Sequence, residues 1–239
     1  MFKPLLSILL FTAVTTSHSS CVFPGCISGT GVPARKAIEV AAFHGFTVQG
    51  SMEVLLEKGN AQSVEVEAQP NIAALLVTEV KNGIWSIHTK DCFKTDKPFI
   101  VHITMPSVDM ISVQGSGDVK STDSFTPMNL EVDVQGSGEI HMNVDTKRVK
   151  ATVQGSGDIG LKGTCGVLDA TVQGSGDIDA IELVSTNATV GIAGSGDISV
   201  QASEHLQVSI AGSGDVNYRG KPAELDKTIN GSGELKQVE

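Results

Sequence analysis

From residue 130 onward, apolar residues fall on every second position. Leu130, Val132 and Val134 alternate with Glu131 and Asp133, and Ile140, Met142 and Val144 alternate with Glu139, His141 and Asn143. The same parity runs through Val149, Ala151, Val153, Ile159 and Leu161, and returns at Leu206, Val208, Ile210, Val216 and Tyr218. Period two with β-branched enrichment predicts strands with one buried face, and excludes helices over this half of the chain.

The strands are punctuated by a repeat. GSG followed by an acid begins at Gly115, Gly136, Gly155, Gly174, Gly194, Gly212 and Gly231, so successive intervals are 21, 19, 19, 20, 18 and 19 residues. Seven copies at so even a period predict a solenoid. Each unit reads as strand, GSG, strand and a polar return, such as 145–148 or 185–187. A unit this short has no room for a crossover helix, so successive coils stack in parallel register about 4.8 Å apart. The expected fold is therefore all-β, a right-handed parallel β-helix of ~19-residue coils, because parallel crossovers are right-handed. Each coil buries about five aliphatic side chains worth roughly 1.5–3 kcal/mol apiece. The entropy of ordering the coil offsets most of that gain, so stability needs the stack.

Both glycines of each GSG lie on the inward parity, where the tube turns a corner, side chains would collide, and positive φ is tolerated. The motif also generates columns. The acids Asp118, Glu139, Asp158, Asp177, Asp197, Asp215 and Glu234 form one, and Gln114, Gln135, Gln154 and Gln173, giving way to Ala193, Ala211 and Asn230, form another. Stacked amides suit a hydrogen-bonded ladder.

Residues 36–112 repeat less clearly. Even so, FTVQGSMEV at 46–54 aligns with ISVQGSGDV at 111–119, so the coil appears early in degenerate form. Val64, Val66 and Ala68 mark an alternating strand, 71–78 a short helical turn, and Asn82-Gly83 a hairpin-like turn into Trp85 and Ile87. Pro98 and Pro106 bracket the strand of Phe99, Val101 and Ile103. The division expected is a signal peptide over 1–20, a linker over 21–35, a degenerate, decorated and capped part of the β-helix over 36–112, and a regular part over 113–239. An uncapped end would leave an adhesive strand edge.

These motifs, in this order, resemble the putative auto-transporter adhesin head (GIN) domain family of bacterial envelope proteins. FHGFTVQGS (43–51), SVEVEA (63–68), TEVKNG (78–83) and ITMP (103–106) leading into QGSGD (114–118) carry the resemblance. So do GSGDVNYRGKP (212–222) and the closing GSG (231–233). It covers the chain from about Arg35 to the end and implies a right-handed β-helix, exported and often lipid-anchored, with no established catalytic residues.

Composition narrows the partners. A formal net charge of −10 argues against nucleic acid and anionic membrane. Lys3 followed by the apolar run 5–14 reads as an export signal, too short to span a bilayer. Ser19-Ser20-Cys21 suggests a bacterial lipoprotein cut with Cys21 acylated, although His18 stands where that motif favours an aliphatic residue. The alternative is release into the periplasm or medium. Either way the expected location is exported: the bacterial cell envelope, outer membrane or periplasm, including the cell surface. Lipidation of Cys21 leaves Cys26, Cys92 and Cys165, an odd number; without it, two bridges have three connectivities.

The acidic column is the candidate for chemistry. Like charges about 4.8 Å apart repel by roughly 1 kcal/mol in water, so seven repeats of that cost call for compensation. Either each acid caps backbone N–H groups at the corner, or the row binds cations, calcium being the apt ion. Capping is the preferred reading, with no cofactor and no catalytic residue. The central serines lack a recurring base. The six histidines show neither HxxxH nor HExxH spacing, so no metal site is expected from them. Trp85 reads as core. The function expected is an exported, non-catalytic, adhesin-like binding protein for a surface protein or glycan. The alternatives are a carbohydrate-active enzyme (polysaccharide lyase or hydrolase) on the same fold, and a structural envelope spacer. A cleft of clustered, non-repeating polar residues would favour the enzyme; an even face favours binding or structure.

Overall fold

A computed structural model describes residues 25–239; the signal segment and Cys21 lie outside the described residues. The predicted parallel solenoid is the fold: about seven turns of ~19-residue coils, 67% strand and 2% helix. The inward parity residues of one coil, Leu130, Val132, Val134, Ile140, Met142 and Val144, are each at most 2% exposed. They stack on their counterparts, so that Val134, Val153, Val172, Ile192 and Ile210 form one continuous apolar column.

The polar returns are not loops. Glu139–Gly155 and Asp158–Gly174 are single 17-residue strands interrupted only at GSG, and Asp145 and Thr146 pair with Thr164 and Cys165 through the bend. The ladder runs on because backbone groups turned inward there would otherwise go unpaired.

The uneven intervals are bulges. Residues 121–123 stand opposite Met142 alone, which is the two-residue excess of the 21-residue coil over 19. Ala180 and Ile181 stand opposite Leu161, which is the one-residue excess of the 20-residue coil. Extra residues leave the ladder as bulges and the register recovers on both sides.

Near the N-terminus the chain does not wind in sequence order. Gly45–Gly50 pairs on one side with Ile84–Ile87 and on the other with Met110–Gly115, and Glu53–Lys58 lies between Ile100–Met105 and Asp118–Phe125. The coil built from 84–105 therefore sits outside the coil built from 45–58. Beyond it the pairing becomes antiparallel: Ser63–Ala68 runs against Ile100–Met105, and Ala34–Ile38 against Ser63–Ala68. The short helix Pro70–Ala73, in the stretch read as a helical turn, buries Ile72. Asn82 and Gly83, at φ 53° and 76°, turn the hairpin Val80–Lys81/Ile84–Ile87. Trp85 is core, fully buried, and donates to the Val77 carbonyl at 3.0 Å. Cys26 pairs with Cys92, tying Ile27–Ser28 to Phe93–Lys94, while Cys165 is free and buried.

At the other end, Glu224–Gly231 and Leu235–Gln237 form the last coil. Register puts Lys227 over Val208 and Gln237 over Tyr218, so polar side chains occupy inward positions of the terminal coil. An inward charge at a sheet edge disfavours further strand addition.

Candidate functional site

Every GSG motif sits at one corner. Gly50, Gly115, Gly136, Gly155, Gly174, Gly194, Gly212 and Gly231 are register partners in a single stack, which includes the degenerate copy. Two contacts require the glycines: the backbone of the preceding coil at both positions, and at the second glycine also the core, where a Cβ on Gly157 would lie 2.6 Å from Val134 Cγ1. Gly155 has φ +127°, and a Cβ there would lie 2.4 Å from the Gly136 carbonyl oxygen; at Gly157 it would lie 2.3 Å from the Gly138 oxygen. Close approach of one coil's backbone to the next is common to both positions. The serine between them continues the ladder, as when the Ser156 N–H donates to the Gly136 oxygen at 2.8 Å.

The corner places the acids in one row, extended by Glu53 opposite Asp118. The row changes character along its length. The N–H groups of Asp118, Glu139 and Asp158 donate to the carbonyls of Met52, Gly117 and Gly138 at 3.1, 3.2 and 3.1 Å. From Asp177 on, the donor meets a side chain. Asp177 N–H donates to Asp158 Oδ1 at 2.9 Å, Asp197 N–H to Asp177 Oδ1 at 2.7 Å, Asp215 N–H to Asp197 Oδ1 at 2.7 Å, and Glu234 N–H to Asp215 Oδ1 at 2.8 Å. Four aspartates make this contact, whereas Asp118 faces Lys120 Nζ at 3.8 Å. Glu139, one methylene longer, turns to His141 Nε2 at 3.2 Å instead.

A second column, two residues after each acid and therefore on the same face, was missed in the sequence reading. Lys120, His141, Gly160, Asp179, Ser199, Asn217 and Lys236 are consecutive register partners. Cations occupy its ends. Lys120 Nζ lies 3.5 Å from Glu53 and 3.8 Å from Asp118, and Lys236 Nζ lies 2.7 Å from Asp215 and 3.1 Å from Glu234. The Lys236 hydrogen bond, with the Glu234 backbone N–H, holds the Asp215 carboxyl below its ordinary range. Period two alone would have found this column.

In the middle the cations run out. Gly160 contributes no side chain, Asp179 follows it, and the bulge at Ala180 and Ile181 displaces the next coil. The result is a hollow of about 420 Å³ lined by His141, Asp158, Lys162, Asp177, Asp179 and Glu182, with Gly160 in its floor. Its carboxylates already serve as acceptors. Asp158 and Asp177 cap backbone donors, Asp179 Oδ1 accepts from the Ile181 N–H at 3.2 Å, and Glu182 pairs with Lys162 at 3.1 Å. The outer face is thus regular but not unbroken.

The glutamine column is also in register, although the amides do not form a complete ladder. Gln49 Nε2 donates to Gln114 Oε1 at 3.1 Å, while Gln135 Nε2 turns to Asp133 at 2.8 Å. The neighbouring aspartate is the stronger, charged acceptor.

A parallel β-solenoid with one glycine corner, a charged face and no helix among the described residues long and apolar enough to cross a membrane defines the class of protein. The chain belongs to the family of the putative auto-transporter adhesin, head GIN domain, whose sequence profile matches residues 42–222. It is similar in structure to a putative adhesin from Bacteroides fragilis, with TM-score 0.84 and 22% identity over 89% of this chain and 100% of that one. It is also similar to a putative lipid binding protein from Parabacteroides distasonis, with TM-score 0.74 and 25% identity over 90% and 100% of the two chains. A putative adhesin from Parabacteroides distasonis aligns with TM-score 0.75 and 23% identity over 90% and 100%. No curated protein matches. The adhesin-like family points to an extracellular or envelope protein.

Proposed function

We propose that this protein is an exported, non-catalytic binding module of the bacterial envelope that presents the acidic face of its solenoid to a surface glycan or protein. The observation that carries the reading is the hollow at Gly160. It is where the regular face opens into a concavity lined by charged side chains, and the register of the ladder is restored on both sides of the bulge that forms it. Pre-organised concave sites of this kind bind with little ordering cost. The Cys26–Cys92 bridge supports export, because such bonds persist in oxidising compartments. The apolar run 5–14 supports a signal peptide, and Cys21 supports a lipid anchor to a membrane.

Glycan-array and whole-cell binding of the purified mature protein tests this. Saturable binding that falls when Asp179 and Glu182 are both replaced by Ala is the expected result. Binding unaffected by that double change would move the site elsewhere.

The clustered, non-repeating polar lining also favours one alternative, a carbohydrate-active enzyme with paired carboxylates in the hollow. Reducing-end or unsaturated-product assays on the same glycans separate the two. Turnover abolished by Asp179→Asn would replace the binding reading with the enzymatic one.

A further inference from the structure

Outside the acidic corner, the solenoid brings three metal-ligating side chains together on the other outer face, at its C-terminal end. His205 is the register partner of Glu224 on the first strand of the last coil, and Asp226 follows two residues later on the same face. One ligand atom from each of His205, Glu224 and Asp226 lies within 4.8 Å of the other two, and His205 Nδ1 is 3.3 Å from Glu224 Oε2. We propose that these residues bind a borderline divalent transition metal, of which zinc is the test case, and that the ion staples the terminal coil to the one before it.

The donor set decides the class of ion. One imidazole nitrogen with two carboxylates suits zinc and its neighbours, whereas calcium takes oxygen ligands only and more of them. Zinc bonds of about 2.0–2.2 Å place tetrahedral ligand atoms about 3.4 Å apart. The observed spacing therefore closes by side-chain rotation on a fixed backbone, since Glu224 and Asp226 are exposed and His205 partly so. Water completes the coordination, as in three-ligand zinc sites.

Placement gives the ion a structural consequence. Two ligands come from Glu224–Gly231, which pairs on one side only with Ile198–Gly212. That strand's residues are mostly exposed, with Ile229 partly buried against the core and the inward Lys227 exposed, so its apolar packing is thinner than that of the coils before it. A metal shared between the two strands adds a cross-coil bond where packing is thinnest, and binding to the paired state alone stabilises that state by mass action.

The experiment is calorimetric titration of the metal-free mature chain with Zn²⁺, together with amide hydrogen exchange. Wild type should take up the ion at this site, and His205→Gln, a surface change that leaves the core intact, should weaken uptake by at least about tenfold. Glu57→Gln, on an exposed position of an early coil, should leave it unchanged. Exchange of amides 224–237 should slow with Zn²⁺ in wild type and not in His205→Gln. No uptake by wild type, equal uptake by His205→Gln, or the same protection from Ca²⁺ would each overturn the assignment.

Discussion

The backbone N–H of Asp177 donates to the side chain of Asp158, one coil earlier, at 2.9 Å. The same bond recurs to Glu234, so four successive corners are joined by a carboxylate on the preceding coil. It offsets the repulsion that a row of acids at coil spacing carries, by giving Asp158, Asp177, Asp197 and Asp215 each a donor dipole.

The first prediction concerns that bond. Asp158→Ala should destabilise the fold by about 1 kcal/mol, below the roughly 1.5–3 kcal/mol of hydrogen bonds to charged groups because the corner is partly solvated. Asp158→Asn, which keeps an acceptor oxygen, should cost less. Millimolar calcium should leave the melting temperature where sodium at matched ionic strength leaves it. A calcium-specific rise of several degrees, abolished by Asp158→Asn and Asp177→Asn together, would assign the row to cation binding instead.

The second separates two kinds of glycine. Gly155→Ala must adopt φ near +127° and push against the Gly136 oxygen, so it should cost on the order of 3 kcal/mol or prevent folding. At Gly191 the nearest atom to an added Cβ is Thr171 Oγ1 at 3.8 Å, and Gly191→Ala should be neutral or slightly stabilising. Chemical denaturation of the two variants checks the contrast. Equal effects would mean the corner tolerates a side chain.

The third is a pH effect near the N-terminal coils. His44 Nδ1 lies 2.7 Å from Asp109 Oδ1, and that hydrogen bond and charge raise the imidazole pKa above 6.5. A pKa raised by folding contributes stability that is fully present below about pH 6.5 and is lost as pH rises through the folded value. NMR titration of the His44 ring should show a midpoint above 6.5, returning toward it in Asp109→Asn. A midpoint at or below 6.5 in wild type would contradict the pairing.

The fourth concerns Cys165. Burial, with a smaller contribution from Asp169, pushes its thiol up to about 11, so it is protonated at neutral pH. The thiolate is the reactive form, and Cys165 is 6% exposed. A thiol reagent should therefore modify it only on unfolding, at the rate of global opening. Rapid labelling of the native protein would show that the bend around Cys165 opens locally.

Much of this was legible because a parallel ladder applies one local rule repeatedly. Parity sorted Leu130, Val132 and Val134 inward, and the spacing of GSG set the coil length. The uneven intervals of 21 and 20 residues already marked where bulges leave the ladder. The column from Lys120 to Lys236 was equally open to period-two reasoning and was overlooked. So was the pairing of His205 with Glu224, which stand one coil length of 19 apart.

What the chain alone determined is everything carried by the period: strands, corner, register and the facing of each side chain in the regular coils. Register is enforced there because a one-residue slip would turn the whole apolar set outward. Only the tertiary structure decided the rest. Residues 84–105 dock outside the coil of 45–58, Ser63–Ala68 runs antiparallel, and Cys26 meets Cys92. No repeat governs the end of a stack, so pairing there is chosen by whatever covers its exposed edge and core. The hollow over Gly160 likewise arises from a bulge in one coil facing a missing side chain in the next, a relation between neighbours that neither segment contains by itself.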